Sequence, residues 1–106
     1  MVQEIYPDEL KELQKKEKNL LLIDIRPKNM FDQFHVEGSI NLDVYHDVWN
    51  YDMDTVQKKF EDAKLPKDRK IITICNVGQT SKIASHVLAS MGYNTASLAG
   101  GVEGWE

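Results

Sequence analysis

The chain has 106 residues, with 13 Lys and Arg against 17 Asp and Glu, a formal net charge of -4 and one cysteine. That length suits a single domain with its own core. One cysteine excludes an internal disulfide, a Cys-rich zinc site and a CxxC redox pair. Nucleic acid is disfavoured as a partner, because Lys11, Lys15, Lys16 and Lys18 interleave with Glu9, Glu12 and Glu17 and read as a solvated helix face. The longest apolar run, Leu20 to Ile23, is too short to span a membrane. The opening MVQEIYPDEL has no apolar core of the signal-peptide kind, so a cytoplasmic location is the expectation.

The elements alternate along the chain. Gln3–Tyr6 reads as a short strand, and Pro7 opens a helix in which Asp8 and Glu9 occupy the first turn and Leu10 and Leu13 face inward. Leu20–Ile25 is a buried strand that Pro27 ends. Asn29–Phe34 is a helical turn with Met30, Phe31 and Phe34 directed inward, and Ser39–Leu42 is another strand. Tyr45–Asp52 reads as irregular and aromatic. Asp54–Leu65 is a helix with Val56, Phe60 and Ala63 inward, stopped by Pro66. Lys70–Cys75 carries Ile71, Ile72, Thr73 and Ile74, a β-branched run suited to a strand buried on both faces. From Thr80, Ile83, Ala84, Val87, Leu88 and Met91 mark one face of a helix that Gly92 ends. Thr95–Ala99 is the last strand, followed by Gly100 and Gly101. Strand and helix in alternation predict an α/β domain with a largely parallel sheet and helices on both faces. Ligands of such sheets sit beyond the carboxyl ends of the strands, which is where Cys75 falls.

Cys75-Asn76-Val77-Gly78-Gln79-Thr80-Ser81 joins a strand to a helix. The N–H groups of the turn and of the first helical turn have no intrahelical partner. A loop wrapped round the sulfur would aim them at it and favour thiolate over thiol. Gly78 permits a positive φ or a close approach, and Thr80 and Ser81 are candidates to cap the helix and donate hydroxyls to a bound anion. A phosphatase cradle of this length would need an Arg where Ser81 stands, to clamp phosphoryl oxygens. A peroxidatic cysteine and a buried inert cysteine are the other readings of the same residue.

Three pieces stand out together: Leu22-Ile23-Asp24-Ile25-Arg26 with Phe31, Phe34 and His35-Val36-Glu37-Gly38-Ser39-Ile40-Asn41; the loop from Cys75 to Ser81; and Met91-Gly92-Tyr93 with Leu98-Ala99-Gly100-Gly101 and Trp105. In these pieces the chain resembles the rhodanese-like, single-domain thiosulfate sulfurtransferase family. The resemblance covers essentially the whole chain as one domain, 1–106, whether that domain stands alone or belongs to a longer protein. It implies a three-layer fold with a central five-stranded, mostly parallel sheet. It also implies sulfane-sulfur transfer through a Cys75 persulfide, from a small donor or a protein persulfide to a thiol acceptor, with no cofactor. Asn76, Val77, Gly78, Gln79, Thr80, Ser81 and Arg26 are the expected substrate-binding residues. A weakly catalytic or non-catalytic interaction module of the same family is the alternative. Members that use thiosulfate often carry Arg or Lys inside the loop, whereas Asn76, Val77 and Gln79 are neutral and the nearest cation in sequence is Lys82. A donor of low charge is therefore expected.

Asp24 and Arg26 fall at the same sheet edge as Cys75, either shaping the pocket or forming an ion pair that positions the next segment. His35 has an expected structural hydrogen bond rather than an acid–base role, His86 is expected in solvent, and His46 has no partner at metal-ligand spacing. Tyr45, Trp49, Tyr51 and Met53 pack a long connection onto the core or form an apolar rim for a protein partner.

Overall fold

A computed structural model describes residues 3–105; Met1, Val2 and Glu106 lie outside it. The chain runs β1 (Glu4–Ile5), α1 (Pro7–Lys16), β2 (Leu20–Asp24), α2 (Lys28–Gln33), β3 (Ile40–Asn41), α3 (Tyr45–Trp49), α4 (Met53–Asp62), β4 (Lys70–Ile74), α5 (Gln79–Ser90), β5 (Thr95–Leu98) and a closing 3-10 turn (Gly101–Gly104). The five strands form one sheet in the order β1-β5-β4-β2-β3. Every pairing is parallel, and the order makes β4 the middle strand. Its register with β2 runs from Leu20↔Lys70 to Asp24↔Ile74.

The period-2 alternation of β4 builds the two faces. Ile72 and Ile74 join Ile5, Leu10, Leu22, Val36, Ala96 and Leu98 in one apolar cluster, closed by Leu13, Val102 and Trp105 from α1 and the carboxyl end. Ile71 and Cys75 point the other way, into a cluster with Val48 of α3, Val56 and Phe60 of α4, and Ala84, Val87 and Leu88 of α5. Cys75 thus belongs to the α5 side of the central strand.

Several elements depart from the sequence reading. Tyr45–Trp49 is a short helix rather than an irregular stretch. Asp52 then caps α4, accepting from Thr55 N–H at 3.2 Å and from Thr55 Oγ1–H at 2.6 Å, which holds its carboxyl below the usual carboxylate range. Phe34 is exposed because α2 stops at Gln33 and the extended backbone at Phe34 turns its ring away. Ala63 is exposed past the end of α4, and Leu65 fills the core position instead. Ile83 is exposed as well, for it faces the short α3 rather than the sheet.

Candidate active site

The carboxyl ends of β2 and β4 are adjacent, since Ile25 N–H donates to Ile74 O at 2.9 Å. β4 ends one residue before Cys75, and the chain turns at Gly78, whose φ of 97° begins α5. A Cβ at Gly78 would press on the backbone of Gly100 and Leu98, so a side chain is excluded by space as well as by φ. Thr80 and Ser81 do not cap the helix as expected, because α5 has no side-chain cap hydrogen bond. The Cys75 sulfur takes that place. Gly78 N–H donates to Sγ at 3.1 Å and Ser81 N–H at 3.3 Å, so two otherwise free N–H groups converge on one atom. Ser81 Oγ lies 3.3 Å from Sγ.

The loop is held from beneath by the carboxyl end of the chain. Val102 N–H donates to Cys75 O at 2.9 Å and Glu103 N–H to Asn76 O at 3.1 Å. Gly101, with a φ of 58°, makes this approach possible, because a Cβ there would overlap Cys75 O and the Asn76 carbonyl. The Gly100-Gly101 pair is therefore a part of the site that sequence spacing placed near the end of the chain and gave no task.

Of the expected loop residues, Gly78, Thr80 and Ser81 are buried, Asn76 is half-buried, and Val77 and Gln79 are exposed. Cys75 itself is 1% exposed. Ser97 of β5 joins the site without having been anticipated: its hydroxyl lies 2.7 Å from Ser81 Oγ, and both residues are fully buried. The available signal was a serine between Ala96 and Leu98 in a buried strand. A second hydroxyl row lies deeper. Thr73 Oγ1 donates to Ser81 O at 2.8 Å and lies 2.7 Å from Ser85 Oγ, which is 2.9 Å from Thr95 Oγ1. These bonds tie the first turns of α5 to β4 and β5.

Charge is scarce around the loop. Lys82 is paired with Glu4 at 2.6 Å, a bond that raises its ammonium above the ordinary lysine range. Arg26 is 4% exposed, and its guanidinium donates to Asp24 Oδ2 at 2.7 Å, to Oδ1 through Nε at 2.9 Å and to Phe34 O at 2.6 Å. These are the bonds of an ion pair that fixes the turn after β2. His35 is stacked on Phe31 with centroids 3.8 Å apart, and its Nδ1–H donates to Phe31 O at 2.7 Å. His86 is exposed. Among the described residues no three His, Cys, Asp or Glu side chains gather as metal ligands would.

Beside the loop, Val48, Trp49, Tyr51, Gln79, Thr80 and Ile83 line a cleft of about 200 Å³. Trp49, Tyr51 and Ile83 are exposed along it, and Tyr51 holds a φ of 57°, uncommon for a residue with a side chain. Among the described residues no helix is long and apolar enough to cross a membrane.

The model of the rhodanese-like domain family matches residues 6–106. The chain belongs to that family. It is 30% identical to the thiosulfate sulfurtransferase PspE of Escherichia coli over 81 residues, which is 76% of this chain and 69% of that protein. It is 29% identical over 102 residues, 95% of its length, to the adenylyltransferase and sulfurtransferase UBA4 of Candida albicans, but covers only 23% of that protein. Two further UBA4 relatives are likewise covered to about a fifth, 18% and 20%. The rhodanese-like fold matches the human single-domain sulfurtransferase TSTD1 with a TM-score of 0.75 at 17% identity, over 99% of this chain and 96% of that one.

Proposed function

We propose that this rhodanese-like domain is a sulfurtransferase that carries sulfane sulfur as a Cys75 persulfide. The observation that carries the reading is the convergence of Gly78 N–H and Ser81 N–H on a single sulfur, with the Ser81 hydroxyl 3.3 Å away. Such donors stabilise an anion formed there, first the thiolate and then the persulfide. In the first half-reaction the Cys75 thiolate attacks the outer sulfur of the donor, and the donor's remaining fragment leaves with the bonding pair. In the second, a thiol or other nucleophile attacks the outer persulfide sulfur and Cys75 departs as thiolate. Sulfur atoms and charge balance across the two steps, so no cofactor or second cysteine is needed.

The donor in this reading carries little charge. Lys82 is paired with Glu4 and Arg26 with Asp24, so neither of these two cations is free to attract a dianion such as thiosulfate. Arg26 accordingly acts as scaffold for the site rather than as an anion clamp. The apolar cleft beside the loop suits the uncharged part of an organic persulfide or of a protein donor. The direct test is intact mass after incubation with an organic persulfide. Wild type should gain one sulfur atom, and Cys75→Ser should not. No adduct with any sulfane-sulfur donor overturns the enzyme reading. It would favour an interaction module, for which the burial of Cys75 is the supporting observation.

A further inference from the structure

The Cys75, Ser81 and Ser97 side chains form a buried chain with two links, Sγ to Ser81 Oγ at 3.3 Å and Ser81 Oγ to Ser97 Oγ at 2.7 Å. Ser97 is fully buried, and Ser81 Oγ is the hydrogen-bond partner the structure gives its hydroxyl. A buried hydroxyl proton without an acceptor is unfavourable, so the Ser97 proton is directed at Ser81 Oγ. The other neighbour of the Ser81 hydroxyl is Sγ. With Cys75 as thiol the sulfur is the donor of that link, S–H to Ser81 Oγ. A sulfur that departs from a persulfide as thiolate has no proton to give, so at that moment the Ser81 hydroxyl is the group that donates across the link.

We propose that Ser97 is a positioning residue, which acts through Ser81 by turning the Ser81 hydroxyl proton toward Cys75 Sγ when the sulfur is anionic. Without Ser97, the Ser81 hydroxyl is free to rotate. A serine in a first helical turn then has the carbonyls three and four residues back as competing acceptors. The consequence falls on the step in which Cys75 becomes the leaving group. When an acceptor takes the outer sulfur, the S–S bond breaks and its electron pair returns to Sγ, where a fixed O–H dipole meets the developing charge. This consequence rests on the persulfide reading; the hydroxyl chain itself does not.

The test is a double-mutant cycle with Ser97→Ala, Ser81→Ala and both together. Two rates are read: discharge of preloaded persulfide to cyanide in a single turnover, and alkylation of the resting cysteine by iodoacetamide. Ser97→Ala should slow discharge roughly threefold to tenfold, the span of one neutral hydrogen bond. Ser97→Thr, which keeps the hydroxyl, should restore it. In the Ser81→Ala background the Ser97 substitution should have no further effect on either rate. Equal effects of Ser97→Ala in both backgrounds, or no effect in either, overturn the proposal. If no persulfide can be loaded, the sulfurtransferase reading fails, and the alkylation arm still decides the role of Ser97.

Discussion

The carboxyl ends of β2 and β4 lie side by side, and polar groups are buried at both in contrasting ways. At β2 the buried groups are formally charged. Asp24 is fully buried, and its carboxylate is met by the fork of Arg26 and by the Arg26 N–H at 3.0 Å. The charges cancel within the pair, and the guanidinium is further tied to Phe34 O. At β4 the groups are neutral: two backbone N–H groups donate to one polarisable sulfur, which meets the Ser81 hydroxyl at 3.3 Å. The first arrangement is electrostatically complete within the chain. The second sets two N–H dipoles on a sulfur with no charged partner bonded to it. A closed pair supports geometry, while an uncompensated set of dipoles supports chemistry.

Breaking the pair should therefore affect folding, and breaking the dipole set should affect reactivity. Arg26→Met strands a buried carboxylate, and the expected loss of unfolding free energy is about 3–5 kcal/mol, read as a lower urea midpoint. Adding Asp24→Leu should recover part of that loss, because the unpaired charge goes with it. Ser81→Ala removes only neutral bonds and should lower stability by about 1 kcal/mol. A larger loss from Ser81→Ala than from Arg26→Met would erase the contrast.

Gly101→Ala is the next in size. Its Cβ has no room against the backbone of Cys75 and Asn76, and its φ is strained for any residue with a side chain. The loop must shift or the closing 3-10 turn must detach. Either should lower stability by about 1–3 kcal/mol and slow alkylation of Cys75 more than Ser81→Ala does. Unchanged alkylation would mean that the carboxyl end does not brace the loop.

Much of this was legible in the residues. The β-branched run at Ile71–Ile74 and the Gly78 turn gave the central strand and the placement of Cys75 at its end. Aromatic residues over Tyr45–Asp52 hid the short α3, whose helical character comes from packing against α4 and α5 rather than from a periodic stripe. Ile83 followed the apolar period of α5 but faces the cleft, because periodicity shows which residues share a side and not what covers it. Ser97 could not be placed. It lies 16 residues from Ser81, and only the parallel pairing of β4 with β5 brings their hydroxyls together. The pairing of Lys82 with Glu4 was hidden for the same reason, since it depends on β1 adding to the far edge of the sheet.

That last pair gives the smallest effect and the finest test of a neutral loop. Glu4→Gln removes the negative partner of Lys82 and leaves the backbone pairing of β1 with β5 in place. The ammonium, held above its usual range by Glu4, should relax toward the ordinary lysine value and still be fully charged at neutral pH, so the substitution unmasks a cation and does not create one. Lys82 directly follows Ser81, close to where a bound anion would sit. The expected result is a roughly twofold to fourfold rise in kcat/KM with thiosulfate at low salt, shrinking as ionic strength grows. An uncharged organic persulfide should show no rise. An equal gain with both donors would mean that Glu4 acts through the shape of the loop, and that the missing cation does not set the donor.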